Sequence, residues 1–240
     1  MSEPFLSVVI PAYNEAGRIH SSLEAIRAYL RGKNFSSELT VVDDGSTDDT
    51  VQVVARHPEV RVLPNDRNHG KGFSVRHGVL EARGEFILFT DADLSAPIEE
   101  ADKLLAALES SGADVAVGSR ALQRELIGIH QSRFREWGGR FFNLLVRIFT
   151  GLRLQDTQCG FKLFRRETTR RAFELQRVEG FGFDPELLFL IQRLGGKIVE
   201  VPVRWNNDPA TRVHYLRDSL LMILDLLVLR WRALTGQYQV

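Results

Sequence analysis

The sequence has almost no cysteine, no long apolar run and no net charge, and each lack excludes something. Cys159 is the only cysteine. Neither an intramolecular disulfide nor a multi-cysteine zinc site is therefore available, and a reducing compartment fits. The longest stretch free of Asp, Glu, Lys and Arg, Pro4 to Asn14, has 11 residues, whereas a bilayer-spanning helix needs about 20. The opening Met1-Ser-Glu-Pro4 lacks the basic start, apolar stretch and cleavage site of a signal peptide, so a cytoplasmic location is expected. Lys plus Arg number 31, and so do Asp plus Glu. That balance argues against a nucleic-acid binder. What is present is ordinary for a globular protein: 240 residues, 44% hydrophobic and 26% charged, enough for one large α/β domain or two small ones.

The zero hides an asymmetry. From Glu81 to Asp114 nine acids face only Arg83 and Lys103, a balance of −7; from Arg120 to Arg153 seven arginines face Glu125 and Glu136, a balance of +5. Blocks of opposite sign fit separate jobs, such as holding a cation and an anion, and equally fit solvated helix faces.

Short β-branched runs recur at Ser7–Ile10, Leu39–Val42, Val60–Leu63, Phe86–Thr90 and Asp114–Val117. Helical spacing falls between them, in Ile19, Leu23, Ile26 and Leu30, then Val51 and Val54, then Val75, Val79 and Leu80, then Leu104, Leu105 and Leu108. Apolar strands alternating with helices predict an α/β fold, a mostly parallel sheet covered on both faces. Ligands of such sheets bind beyond the carboxyl ends of the strands, and the polar motifs fall there.

Asp91-Ala-Asp93 ends an apolar run. Two carboxylates so placed can converge on one hard divalent cation, Mg²⁺ or Mn²⁺, shared with substrate phosphates; alternatively, Asp93 or Ser95 caps a helix opening at Pro97. Asp43-Asp44-Gly45-Ser46 reads as a turn with a capped helix behind it, or as carboxylates offered to a nucleobase edge. Asn68-His-Gly-Lys-Gly72 places two glycines and a lysine at a helix start suited to a diphosphate, and it matches neither a Walker A loop nor the dinucleotide fingerprint.

In combination, Val8-Val-Ile-Pro-Ala-Tyr-Asn-Glu15, Val41-Val-Asp-Asp-Gly-Ser46 and Asp91-Ala-Asp93 resemble the family 2 inverting glycosyltransferases of GT-A fold. Asp156-Thr-Gln-Cys-Gly-Phe-Lys-Leu-Phe164, Phe183-Asp-Pro-Glu-Leu-Leu188 and Val201-Pro-Val-Arg-Trp205 extend the resemblance to the dolichyl-phosphate β-glucosyltransferase branch, near the dolichyl-phosphate mannose synthases. It implies one Rossmann-like domain. Residues 1–119 would form a nucleotide-sugar half, 120–215 an acceptor half, and 216–240 a membrane-surface or dimer helix.

The resemblance also implies roles. Pro11, Tyr13 and Glu15 would line the nucleotide pocket, Asp44 would meet a uracil with Asp43 in support, and Lys71 would sit near the base or diphosphate. Asp91 and Asp93 would serve the metal, and Arg212 the donor phosphates; without the family, Arg212 is an ordinary loop arginine. The donor would be UDP-glucose, with GDP-mannose possible, and the acceptor a polyprenyl phosphate. Because a phosphate acceptor is already anionic at neutral pH, it needs charge neutralisation more than a base. Arg120, Arg133 and Arg135 lie in the segment to supply it, Arg120 being counted with Asp93 and Asp184 as catalytic. Asp184 occupies the base position of hydroxyl-accepting relatives, as base or orienting residue. A sugar-hydroxyl acceptor and a non-catalytic nucleotide-sugar-binding module are the alternatives.

Phe134, Trp137, Phe141, Leu144, Leu145, Ile148 and Phe149 share a helical face beside Arg133, Arg140 and Arg147, the pattern of a membrane-surface helix or of a core helix. Residues 216–231 are apolar nearly all round, with Asp218, Asp225 and Arg232 in one polar line. That line argues against spanning and leaves peripheral attachment to a cytoplasmic membrane face or a homo-oligomer contact.

Overall fold

The computed structural model describes residues 3–129, 133–206 and 215–238, the side chains of 129, 133–136, 215 and 216 excepted. The expected strands all form, as β1 (Leu6–Ala12), β2 (Ser37–Asp43), β3 (Val60–Pro64), β4 (Phe86–Thr90) and β5 (Val115–Ser119). So do the expected helices α1 (Ile19–Arg31), α2 (Thr50–Val54), α3 (Lys71–Glu81) and α4 (Ala101–Ser111). Beyond Arg120 come β6 (Ile127–Ile129), α5 (Arg133–Thr150), β7 (Phe161–Arg165), α6 (Arg166–Leu175), α7 (Phe183–Arg193), β8 (Ile198–Pro202), β9 (Trp205–Asn206) and α8 (Tyr215–Leu234).

Seven strands make one sheet in the order β3-β2-β1-β4-β7-β5-β8, parallel except for β7, which runs antiparallel to both β4 and β5. A β6–β9 pair stands apart. Because β7 inserts between β4 and β5, the parts of the chain before and after residue 120 share one sheet.

Side chains alternate along each strand. Val8 and Ile10 face a core with Ile19, Leu23, Ile26, Leu104 and Leu108 from α1 and α4. Val9, Ile87 and Phe89 face the opposite core with Val75, Phe173, Phe183, Leu187 and Leu226. Val51 of α2, expected inside, is exposed.

The outer helices differ from expectation. On α5, Phe142 and Val146 are buried while Trp137, Phe141, Leu144 and Ile148 lie exposed, Trp137 at 67% and Ile148 at 68%; the single apolar face splits into an inner and an outer one. On α8, Leu226 and Leu229 face the core, and Leu220, Leu221, Leu224, Leu227, Trp231 and Leu234 face outward. Its polar line turns inward: Asp225 lies against Gly182, where an added Cβ would sit 2.4 Å from its Oδ2, and Arg232 approaches Glu186 at 3.8 Å. No helix among the described residues is long and apolar enough to cross a membrane.

Candidate active site

The carboxyl ends of β1, β2 and β4 meet on one rim. The β1 and β2 exits are stitched together. Asp44 N–H donates to the Ala12 carbonyl (2.8 Å), Asn14 N–H to Ser46 Oγ (2.9 Å), Glu15 N–H to Thr50 Oγ1 (2.7 Å), and Thr47 N–H to Asn14 Oδ1 (2.7 Å). Ser46 thus binds across the rim; the helix behind it starts at Thr50, whose N–H donates to Asp48 Oδ1 (3.0 Å), while the cap position, Asp49, makes no side-chain cap. Tyr13 stands exposed, and Pro11 and Glu15 are half-buried, Glu15 holding Arg18 through Oε1 at 2.8 Å.

Asp44 is buried and fully engaged. It accepts from Asn65 Nδ2 (2.7 Å), His69 N–H (3.1 Å) and Gly70 N–H (2.8 Å). It therefore shapes the loop before α3, and the role expected for it at a nucleobase meets a carboxylate with both oxygens occupied. Asp43, buried beside it, accepts only long bonds from Ser46 N–H, at 3.3 and 3.4 Å.

At the β4 exit, Asp91 Oδ1 pairs with Lys71 Nζ at 2.6 Å. Lys71, expected beside the base or diphosphate, thus lies under the acidic dyad. Asp91 N–H donates to the Gly160 carbonyl (3.1 Å), and a Cβ on Gly160 would fall 1.9 Å from Asp91 Oδ2, so only glycine admits this carboxylate. Asp93 is half-buried; its Oδ1 accepts Ser95 N–H at 2.9 Å, and Arg18 Nη1 stands 4.0 Å from its Oδ2. Burial first, then the like charge of Asp91, raises the Asp93 pKa. Neither Asp93 nor Ser95 caps the turn at Ile98–Glu100, whose cap position is Pro97. Two oxygen-only carboxylates on one loop, Asp93 being met by Ser95 N–H and a distant Arg18, fit a hard divalent cation completed by phosphate oxygens. Among the described residues no third His, Cys, Asp or Glu joins them.

Behind the dyad lies a group that sequence reasoning left unassigned. Lys162 on β7 is 0% exposed; its Nζ donates to the Cys159 carbonyl (2.6 Å) and stands 2.7 Å from Asp184 Oδ1, an ion-pair distance whose direction is not that of a hydrogen bond. Asp184, in the first turn of α7, is buried. Burial raises its pKa, while Lys162 and then Lys71 oppose the shift. Lys71 and Lys162 both lie near the Phe89 ring, at 5.3 and 5.8 Å from its centroid. The available signal was a lone lysine inside the apolar run Phe161-Lys-Leu-Phe164.

Arg120 is engaged within the chain. Its guanidinium grips Asp156, Nε to Oδ2 at 2.6 Å and Nη2 to Oδ1 at 2.8 Å, over the Trp205 ring. The Nε/Nη2 edge of the guanidinium expected to face an acceptor phosphate is thereby held by Asp156. Burial disfavours the Asp156 carboxylate, yet Arg120 holds its pKa below the usual range. Arg133 and Arg135 begin α5, but their side chains, like the whole of Arg212, lie outside the described residues.

The acidic block is likewise mostly consumed elsewhere. Glu81 pairs with Arg61 (2.8 Å), Glu100 with Lys103 (2.6 Å) and Asp102 with Lys33 (2.6 Å), which leaves Asp91 and Asp93 as its members at the rim.

Comparison with known proteins decides the family: the description Glycosyl transferase family 2 matches residues 7–173. The chain belongs to glycosyl transferase family 2. This glycosyltransferase is 38% identical to the dolichyl-phosphate beta-glucosyltransferase of Saccharomyces cerevisiae, over 99% of this chain and 77% of that one. Identity to the enzymes of the same name in Drosophila melanogaster and Homo sapiens is 39% and 37%, in each case over 98% of this chain and 77% of the relative. Its fold is that of Mycobacterium tuberculosis glucosyl-3-phosphoglycerate synthase, solved with UDP (23% identity, TM-score 0.70, 95% of this chain and 80% of that one) and with Mn²⁺ and UDP-glucose (23%, 0.69, 95% and 79%). The GT-A expectation, with its mostly parallel sheet, therefore holds.

Proposed function

We propose that this enzyme transfers glucose from UDP-glucose, with inversion, to the phosphate of a polyprenyl phosphate held at a membrane surface. The observation that carries the reading is the rim itself, an acidic dyad at the β4 exit beside the stitched β1 and β2 exits, in a chain this similar to dolichyl-phosphate glucosyltransferases. Asp93, with Asp91 at its side, holds Mg²⁺ or Mn²⁺, which when bound supplies positive charge against the donor diphosphate. Asp43, the less engaged of the buried acids, serves the uracil edge, and Asp44 fixes the loop that leads to Lys71. Lys71 anchors Asp91. Arg212 serves the donor phosphates, and Arg133 and Arg135 the acceptor phosphate.

The acceptor phosphate is itself the nucleophile and attacks the anomeric carbon from the face opposite the leaving diphosphate, so no proton need be removed. Asp184, paired with Lys162, orients the floor of the site. A second reading, a sugar-hydroxyl acceptor with Asp184 as base, draws on the raised pKa of that carboxyl. The outer faces of α5 and α8 supply the lipid side. Trp137, Phe141, Leu144, Leu224 and Trp231 lie open, with Arg140, Arg147, Arg217 and Arg230 exposed on the same helices; apolar groups among cations suit an anionic bilayer surface.

Radiolabelled UDP-glucose and GDP-mannose offered with polyprenyl phosphate and Mn²⁺ test the reading. Label should enter the organic phase from UDP-glucose. Label entering from GDP-mannose instead would overturn the donor assignment, and label remaining aqueous from both would overturn the acceptor.

A further inference from the structure

Glu186 is a completely buried carboxylate two residues beyond Asp184, and nothing in the proposed chemistry uses it. We propose that it is a positioning residue for the donor site, tying the segment after α8 to the start of α3, which carries Lys71. This rests on the donor-site reading above.

Glu186 Oε2 accepts the backbone N–H groups of Arg177 (2.9 Å) and Val178 (2.7 Å). Its Oε1 accepts the hydroxyl of Tyr238, itself buried just past α8. Burial, then the charge of Glu186, pushes the Tyr238 pKa up and keeps its hydroxyl a donor. Arg177 Nη2 donates to the Gln237 carbonyl (3.1 Å), a second tie to the same segment.

Segment 176–179 lies directly against the start of α3. Phe73 N–H donates to the Glu179 carbonyl (3.1 Å), and Gln176 Nε2 to the Gly72 carbonyl (2.9 Å). A Cβ on Gly70 would fall 2.6 Å from the Glu179 carbonyl oxygen, and one on Gly72 2.6 Å from that of Val178. Gly70, at φ 115°, also donates to Asp44, and Lys71 reaches Asp91. Around the same segment a cleft of about 380 Å³, lined by Phe73, Arg76, Leu175 and Val178 among others, leaves space. The segment is thus held on one side by its contacts with the start of α3 and on the other by hydrogen bonds to Glu186. A buried carboxylate is costly unless every lone pair is used; here it joins two backbone amides to a distant hydroxyl, which an apolar residue cannot do.

The test is calorimetric titration of the full chain with UDP and Mn²⁺, alongside donor KM and kcat, for wild type, Tyr238→Phe, Glu186→Ala and Glu186→Gln. Losing a bond to a buried charge, transmitted in part, should weaken UDP about three- to ten-fold in Tyr238→Phe and more in Glu186→Ala. Donor KM should rise in parallel while kcat at saturating donor stays within about two-fold. Glu186→Gln keeps a carbonyl for the two amides and should bind UDP nearly as wild type does. If Glu186→Ala does not fold, Tyr238→Phe, which removes one oxygen, decides alone. Unchanged UDP affinity in Tyr238→Phe with only a lowered thermal midpoint would overturn the coupling. A wild type that binds no UDP would instead overturn the donor-site reading beneath it.

Discussion

The sheet rim and the outer faces of α5 and α8 are opposites. At the rim nearly every polar group has a partner within the chain: Asp44 with three donors, Asp91 with Lys71, Asp184 with Lys162, Asn14 with the β2 exit. On α5 and α8 several large apolar side chains, among them Trp137, Leu144, Leu224 and Trp231, lie open, while Asp225 and Arg232 of α8 turn inward. The difference teaches where each region gets its order. The rim is preorganised by its own hydrogen bonds, as a site for a small charged donor must be, whereas the outer faces of the helices carry exposed apolar groups, which under the proposed function meet a membrane surface.

The sharpest break of that comparison is at Asp93, the rim acid that burial and Asp91 both disfavour in its ionised form. Asp93→Ala should lower turnover by about 10²–10³-fold or more, with circular dichroism unchanged; near-wild-type turnover would remove the metal role. The reverse sign is expected for stability. Because burial and Asp91 raise the Asp93 pKa, its ionised form opposes folding above the ordinary carboxylate range. Metal-free Asp93→Asn should therefore melt higher than metal-free wild type at pH 7. Metal affinity in wild type should also weaken as pH falls below that raised pKa, because protons then compete for the Asp93 carboxylate.

Next in size is Asp156→Asn, which leaves the Arg120 guanidinium without its ion-pair partner and should cost about 3 kcal/mol in urea unfolding at neutral pH. Asp156 has a depressed pKa, so its contribution is present above about pH 3.9 and lost as pH falls through the folded value. The variant should accordingly lose less on acidification than wild type.

The smaller effect belongs to the helices. Trp137→Ser and Trp231→Ser should each weaken binding to anionic vesicles, by up to about 1.5–3 kcal/mol if the indole is fully withdrawn from water in the bound state. Turnover of a short, soluble polyprenyl phosphate should not change. Loss of a dimer on gel filtration, with vesicle binding intact, would assign the apolar face to a second copy of the chain.

Much of the rim was legible in the sequence because it is local: a β-branched run followed by acids, glycine or Asn reads as a strand exit whatever the rest of the chain does. What was not legible depends on partners far along the chain. Arg120 looks like a free phosphate ligand until Asp156, 36 residues on, is seen in its fork. Asp44 looks available until the loop at His69 and Gly70 folds over it. The insertion of β7 between β4 and β5, which buries Lys162 against Asp184, follows from sheet order, and no periodicity in Phe161–Arg165 declares it. On α8 the pattern showed a polar line but not that the line faces inward.

The most direct test of a preorganised donor rim serving a lipid-borne acceptor uses polyprenyl phosphate embedded in anionic liposomes, with labelled UDP-glucose and Mn²⁺, the liposomes then being floated away from the aqueous phase. The account predicts that label floats with the lipid as a β-linked glucosyl phosphate and that Asp93→Ala abolishes it. UDP released while the label stays in the water, as free glucose or a soluble glucoside, would contradict it.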